Sequence, residues 1–452
     1  MHITHFVRIF TVLLLFITQI ITLPAYARQF KILRDAETES TIKVIAEPIF
    51  KAAGLHAENI HIHIVQDRSI NAFVAGGQRI FFNSGLLMRT ENVSQLIGVI
   101  AHETGHIAGG HLSRVHSARD RSTAVAIMSM IMGAVVSVGT GRPDIGSTIF
   151  QGGSHVSNRS LMSFSRSQEN SADHAALRYL DATQQSASGL LNFMKLLKNE
   201  ELLLVSGRDP YALTHPLSQE RIKAINEHIL KSPYSDKAEN PEFALKFARV
   251  RAKIIGFVQE PEITLRMFKE NDQAVPSRYA RAYAYYKSAN FKKALEIMKK
   301  LSSKYPKDPY FHEFCGQILF ESGKITRAIA AYQTAVELAP SEALFRFDLA
   351  RIQIESEVAE FLDPAIKNLN FALRKEQFVA SGWRMLGIAH ERKGDKGRSS
   401  LAFAESSLLL GQINQALYHV RRAIHIFPKH SPEWLKAQDI LIAAEAKKNT
   451  KK

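Results

Sequence analysis

Apolar residues recur at helical spacing from Asp35 to Leu55, with Ile42, Ile45, Ile49 and Phe50 on one face and Gly54 closing the segment. The period then shortens to two. Ile60, Ile62 and Ile64 alternate with His61 and His63, and the runs Ala72-Phe73-Val74 and Arg79-Ile80-Phe81-Phe82 flank the turn Ala75-Gly76-Gly77-Gln78, so a small sheet with a hairpin is predicted. His61 and His63 share one strand face without a third ligand nearby, which reads as a polar sheet face. Helical spacing returns at Gly85 to Met88 and at Val93 to Ala108, where Gly109-Gly110 suits a left-handed cap, and again at Gln168 to Leu180 and Ala187 to Leu204. Ala124 to Val138 is an uncharged run of 15 residues. As a helix it would reach about 22 Å, short of the roughly 20 residues a bilayer needs, so it reads as a flap or buried hairpin. The Gly-, Ser- and Asn-rich stretch from there to Ser165 reads as a long loop.

Past about residue 240 the texture changes to paired helices. Ala294 and Ala328 stand 34 positions apart, Pro306 and Pro340 keep the same step, and Trp383 to Gly394 and Asn414 to Pro428 match the opening and close of further copies. A 34-residue step with alanine in the second helix and proline after it resembles the tetratricopeptide repeat. The interval from Ala365 to Ala416 breaks the step, so the array is irregular. Helix pairs of this kind stack because none buries its apolar face alone, and the stack presents a concave groove suited to a partner.

The N-terminus changes the picture of where this chain works. Arg8 precedes an apolar stretch from Ile9 to Leu23, and Pro24-Ala25-Tyr26-Ala27 follows the small-x-small rule for signal peptidase, so export with cleavage near Ala27 is expected. The one cysteine, Cys315, permits no intramolecular bridge, and stability must come from packing. The formal charge of +15 includes Arg8 and no acid from the leader, leaving +14 on the mature chain. Such a balance favours anionic surfaces, and peripheral membrane association is one expectation. Export and the lack of a nucleic-acid motif argue against nucleic acid.

The chemistry sits in Ala101-His102-Glu103-Thr104-Gly105-His106. At i and i+4 the two imidazoles project from one helix face and reach a single ion, while Glu103 lies beside it, placed to activate water. Zinc suits two neutral imidazoles and a carboxylate with a fourth position left open. A metzincin extension would need a histidine at Leu112, and His111 falls one place short. Of the carboxylates downstream to His215, Glu169 alone combines a helical setting with a second acid one turn later, Asp173. In that geometry Glu169 coordinates the metal and Asp173 accepts the second N–H of a ligand histidine.

Asn71-Ala72-Phe73, the Gly76-Gly77 turn, Ile80-Phe81-Phe82, Gly85-Leu86-Leu87, His-Glu-x-x-His and Glu-x-x-x-Asp, taken in order, resemble the gluzincin family of CAAX-prenyl and HtpX-type peptidases. With a leader and a repeat array, the chain is similar to the periplasmic branch of that family. The resemblance implies one zinc ion on His102, His106 and Glu169, catalysis by Glu103, and quality control of outer-membrane β-barrel proteins and their assembly machinery. It further implies, through Thr214-His215-Pro216 and Arg221, that His215 approaches the zinc and that Arg221 lies near the cleft.

The expectation is an α+β zincin-type metallopeptidase domain, mostly helical with a small sheet, followed by an all-α tetratricopeptide solenoid. Its boundaries are a signal peptide at 1–27, the peptidase at 28–240, the repeats at 241–445 and a basic tail at 446–452. The strand Arg79 to Asn83 is expected to offer its edge to an extended substrate. One rival is a chaperone or assembly scaffold with a gated or vestigial metal site; another is a metal-dependent hydrolase of a different bond, such as a cell-wall amide.

Overall fold

The computed structural model describes residues 31–111, 166–203 and 215–449. The expected leader, the Ala124 to Val138 run and the stretch to Ser165 fall outside the described residues, as do residues 450–452. From Leu33 onward the described chain forms one compact unit.

Helix α1, Ala36–Ala52, starts where Asp35 accepts a hydrogen bond from the Thr38 amide, and it buries Ile42, Ile45, Ile49 and Phe50 completely. Each such side chain contributes roughly 1.5–3 kcal/mol by leaving water. Strands β1 (Ile32–Leu33), β2 (His61–Val65), β3 (Ala72–Ala75) and β4 (Arg79–Asn83) form a sheet in the order β1-β2-β4-β3. β2 and β4 run parallel with His61 opposite Arg79, while β3 and β4 form the antiparallel hairpin across the Gly76-Gly77 turn, where both glycines have positive φ. The alternation puts Ile62, Ile64, Ile80 and Phe82 into the core. On the other face His63 stacks on Phe81 and Phe81 on Phe73, each at 5.0 Å, so the histidines lie on a polar and aromatic sheet face.

One sequence expectation is corrected by this order. β4 lies between β2 and β3, so Arg79 to Asn83 has no open edge; β3 is the outer strand, beside the helix Val93–Ala108. The error came from pairing only the hairpin: a parallel partner 18 positions upstream leaves no local signal.

Helices α2 (Ser84–Arg89), α3 (Val93–Ala108), α4 (166–182), α5 (Ser188–Leu203) and α6 (Gln219–Ile229) complete the N-terminal core. α7, Pro241–Val258, begins at the expected domain boundary but belongs to both sides of it. Its Phe247, Val250, Ile254 and Ile255 join the same apolar cluster as α1, the sheet and α3, while its length packs on α9, Val275–Lys287. The short α8 is Pro261–Met267.

Paired helices follow: α10 (Phe291–Lys304), α11 (Pro309–Glu321), α12 (Ile325–Leu338), α13 (Ala343–Glu355), α14 (Leu362–Lys375), α15 (Ala380–Arg392), α16 (Lys396–Leu409), α17 (Ile413–Ile426) and α18 (Pro432–Asn449). The repeat alanines Ala294 and Ala328 are fully buried at the helix crossings. Residues 446–449 of the expected basic tail extend α18.

A charged seam joins the two parts. Glu37 is buried and takes hydrogen bonds from Tyr279 Oη at 2.8 Å and Lys253 Nζ at 3.2 Å, and it pairs with Arg249. Lys253 also pairs with Asp35; Arg249 reaches Asp308 and lies over the Phe311 ring at 4.1 Å. Farther along, Arg34 makes a two-pronged pair with Glu376, both contacts at 2.8 Å.

Candidate metal centre

The helix that carries the site is fixed at its start. Asn92 caps α3 by accepting from the Gln95 amide at 3.0 Å, Gln95 reaches back to the Glu91 amide at 2.8 Å, and Glu239 accepts from the Ser94 amide at 3.0 Å. These bonds satisfy donors that a helix start leaves open, about 1 kcal/mol for a good cap. Leu96, Val99 and Ile100 anchor the apolar face, which fixes the rotation of His102, Glu103 and His106 about the axis.

α4 supplies the partner face. Ala172, Ala176 and Leu180 are fully buried, and the same stripe carries Glu169 and Asp173. The helices approach closely because residue 105 is glycine: a Cβ there would sit 2.8 Å from the Ala172 carbonyl oxygen.

On this frame His102, His106, Glu169 and His215 converge, each offering one ligand atom, all within 4.8 Å of one another. His102 Nε2 lies 3.1 Å from His106 Nε2, 3.3 Å from His215 Nδ1 and 3.3 Å from Glu169 Oε2. His215 Nδ1 is 3.2 Å from both Glu169 oxygens, and its Nε2 is 3.2 Å from the Ala72 carbonyl oxygen of β3. Glu103 is fully buried beside the cluster, and neither carboxylate oxygen has a hydrogen-bond partner among the described residues. Buried carboxylates are rarely left so. Three imidazoles and a carboxylate facing one point suit zinc, and an orphaned carboxylate beside them suits an activated water.

Asp173 and Arg221 stand one contact away. Asp173 Oδ1 accepts from His102 Nδ1 at 2.9 Å, which turns Nε2 toward the cluster. Arg221, 2% exposed, donates to Asp173 at 2.6 and 2.9 Å and to the Pro216 carbonyl at 2.9 Å, and lies 3.1 Å from Glu169. All seven residues singled out in the sequence therefore meet in one place, but these two touch ligands rather than the cluster's centre. His61 and His63 are not brought to it.

Electrostatics follow from burial and from these contacts. Burial opposes charge on His102, yet Asp173 and Glu169 overcome it and lift its pKa to about 10 in the metal-free chain. Burial together with the His102 and His215 charges holds His106 well below the usual range. Burial, aided by the Glu169 charge, raises Glu103 against the pull of His215 and His102, the direction a general base needs. Burial would raise Glu169 as well, but His215 and His102 hold it far down, as an anionic donor requires.

Sequence reasoning weighed His111 only as a metal ligand, and it passed over Gln168 and Glu239. The first two lie against the ligand helices, and Glu239 reaches α3 from 145 positions away.

Residues 33–229 match the family model described as Peptidase family M48, and residues 279–354 match that of the Tetratricopeptide repeat. The chain is 22% identical over 362 residues to the Beta-barrel assembly-enhancing protease of Yersinia pestis, covering 79% of this chain and 73% of that one. It is 24% identical over 366 residues to the Putative beta-barrel assembly-enhancing protease of Vibrio cholerae, covering 80% and 74%. It is 26% identical over 190 residues to the Mitochondrial metalloendopeptidase OMA1 of Schizosaccharomyces pombe, covering 41% and 51%. Among the described residues no helix is long and apolar enough to cross a membrane. The family match spans every residue of the cluster, and the chain is a metallopeptidase whose catalytic domain is of family M48, followed by tetratricopeptide repeats.

Proposed function

We propose that this chain is a periplasmic zinc-dependent endopeptidase that cleaves misfolded or stalled outer-membrane β-barrel proteins and assists their assembly, holding them through its repeats. The buried carboxylate of Glu103, without a hydrogen-bond partner among the described residues and beside four converging donors, carries the reading. The relatives named for β-barrel assembly support the substrate class.

In this reading His102, His106 and Glu169 hold the zinc. Bound zinc supplies Lewis acidity toward the scissile carbonyl and lowers the pKa of water. Glu103 takes the proton from the attacking water and hands it to the leaving amine. Asp173 keeps the His102 proton on Nδ1, and Arg221 holds Asp173, Glu169 and the Pro216 carbonyl in register. An extended substrate pairs with β3, the outer strand, which gives broad specificity because backbone bonds read no side chains.

His215 fills the fourth position. With Nε2–H donating to Ala72, its Nδ1 lone pair faces the cluster, so the geometry is that of a closed site. This favours a gated enzyme, and the assembly-factor role then operates while the gate is shut. His215→Ala is expected to raise basal peptide cleavage several-fold while zinc stays bound; slower cleavage would instead assign His215 to the transition state, where losing one donor costs roughly 3 kcal/mol.

The decisive experiment incubates the purified mature chain with an unfolded outer-membrane barrel protein, with zinc and with a chelator. Zinc-dependent fragments support the reading. No cleavage by the wild type or by His215→Ala would leave the scaffold reading standing.

A further inference from the structure

The turn that ends the metal-binding helix returns a fourth histidine to the site. His111, 3% exposed, places its Nδ1 2.9 Å from His106 Nδ1, with the two rings nearly perpendicular at 80°. Three features hold it there. Gly110 takes a left-handed φ of 61°, reversing the chain just past α3. A Cβ at Gly109 would fall 2.4 Å from His111 Nε2, so glycine makes the room the ring occupies. Gln168, next to the ligand Glu169, donates to the His111 carbonyl at 3.3 Å.

The chemistry of coordination assigns the protons. His106 turns Nε2 toward the cluster, 3.4 Å from Glu169 Oε1, and a metal ligand must present a bare nitrogen there. The neutral ring then carries its proton on Nδ1, and that N–H points at His111 Nδ1. His111 Nδ1 must accept, so the His111 proton resides on Nε2. Resting on the metallopeptidase reading of the site, we infer that His111 is a positioning residue which fixes His106 in its metal-binding tautomer by accepting a hydrogen bond from its Nδ1. The two ligand histidines are thus steadied differently: His102 by a carboxylate, His106 by a neutral acceptor that adds no charge to a cluster already holding Glu169 and Glu103.

The test measures zinc affinity by competition with a chromophoric chelator, the visible spectrum of the cobalt-substituted protein, and the thermal transition of the metal-free protein. His111→Leu, which removes the acceptor, is expected to weaken zinc about 10- to 100-fold and to change the cobalt spectrum, with the metal-free transition unmoved. His111→Asn, whose Oδ1 falls near the position of Nδ1, is expected to restore affinity to within about threefold of wild type. Gly109→Ala, which pushes an intact imidazole off its seat, is expected to weaken zinc in the same direction and serves where the leucine variant fails to fold. Leucine and asparagine variants equally weak would make the ring's packing, not its lone pair, the cause, and would overturn the inference. So would a leucine variant that binds zinc like the wild type. A wild-type chain that binds no zinc at all would instead sink the metallopeptidase reading.

Discussion

The metal centre and the seam between peptidase and repeats are both made of buried charge, but they are solved differently. In the seam, Lys253 faces Asp35 and Glu37, and Arg249 faces Glu37 and Asp308 while resting on an aromatic ring. Every charge there meets its opposite, and nothing points at an empty place. In the metal centre, donors converge on a shared point and the Glu103 carboxylate is buried with no hydrogen-bond partner among the described residues, the nearest His215 nitrogen standing 3.6 Å off. A buried charge costs several kcal/mol unless compensated, so a cluster that closes on itself is architecture, whereas one left incomplete is kept for a ligand.

Removing the incomplete member should give the largest effect. Glu103→Gln keeps the ligands and removes the base, so peptide hydrolysis is expected to fall about 10²- to 10⁴-fold with full zinc content by metal analysis. Zinc lost together with activity would make Glu103 part of the metal's support and blur the distinction drawn above. Breaking the closed cluster should act on folding instead. Lys253→Met strips the half-buried Asp35 of its cation and leaves the buried Glu37 with Arg249 alone, and is expected to cost about 3–5 kcal/mol in urea unfolding, while the folded protein keeps its zinc affinity. A drop in zinc affinity would show that the two clusters are coupled.

The smallest effect is expected inside the repeats. Burial lifts the Glu313 carboxyl to about 8 from its ordinary 4.5. A carboxyl whose pKa is higher folded than unfolded binds its proton more tightly in the native state, so stability falls as pH rises from about 4.5 toward 8. Glu313→Gln should therefore match the wild type near pH 4.5 and melt a few degrees higher at pH 8. Parallel melting curves across that range would show that Glu313 titrates no differently in the two states.

How much of this was legible depended on distance along the chain. His102, Glu103 and His106 sit on one helix, and Glu169 and Asp173 on another, so helical spacing alone places each set on a shared face. The repeat period is equally local. The sheet order was not, because β2 reaches β4 in parallel across the hairpin, and that concealed which strand is outermost. Nor was the seam: Glu37, Lys253, Tyr279 and Asp308 look like ordinary surface residues until α7 is seen to serve two cores. A cut behind about residue 260 would remove Tyr279 and Asp308 but leave Glu37, Arg249 and Lys253, so the repeats are less separable than their periodicity suggests. His111 was judged against a metal-ligand spacing that it misses by one residue, whereas its contact is with a ligand and is set by the Gly109-Gly110 turn.

The pair between Arg34 and Glu376 spans 342 positions, and it has a consequence for the order in which the molecule can be finished. Synthesis delivers α1 first, yet the groups that neutralise its start arrive late: Arg249 and Lys253 some 200 residues on, Glu376 later still. Contacts so remote form only after long loops have closed, which slows the last step of assembly relative to any local helix pair. Through that interval the beginning of α1 stays exposed with Asp35 and Glu37 unpaired. The N-terminal helix is therefore among the first segments made and among the last to be locked.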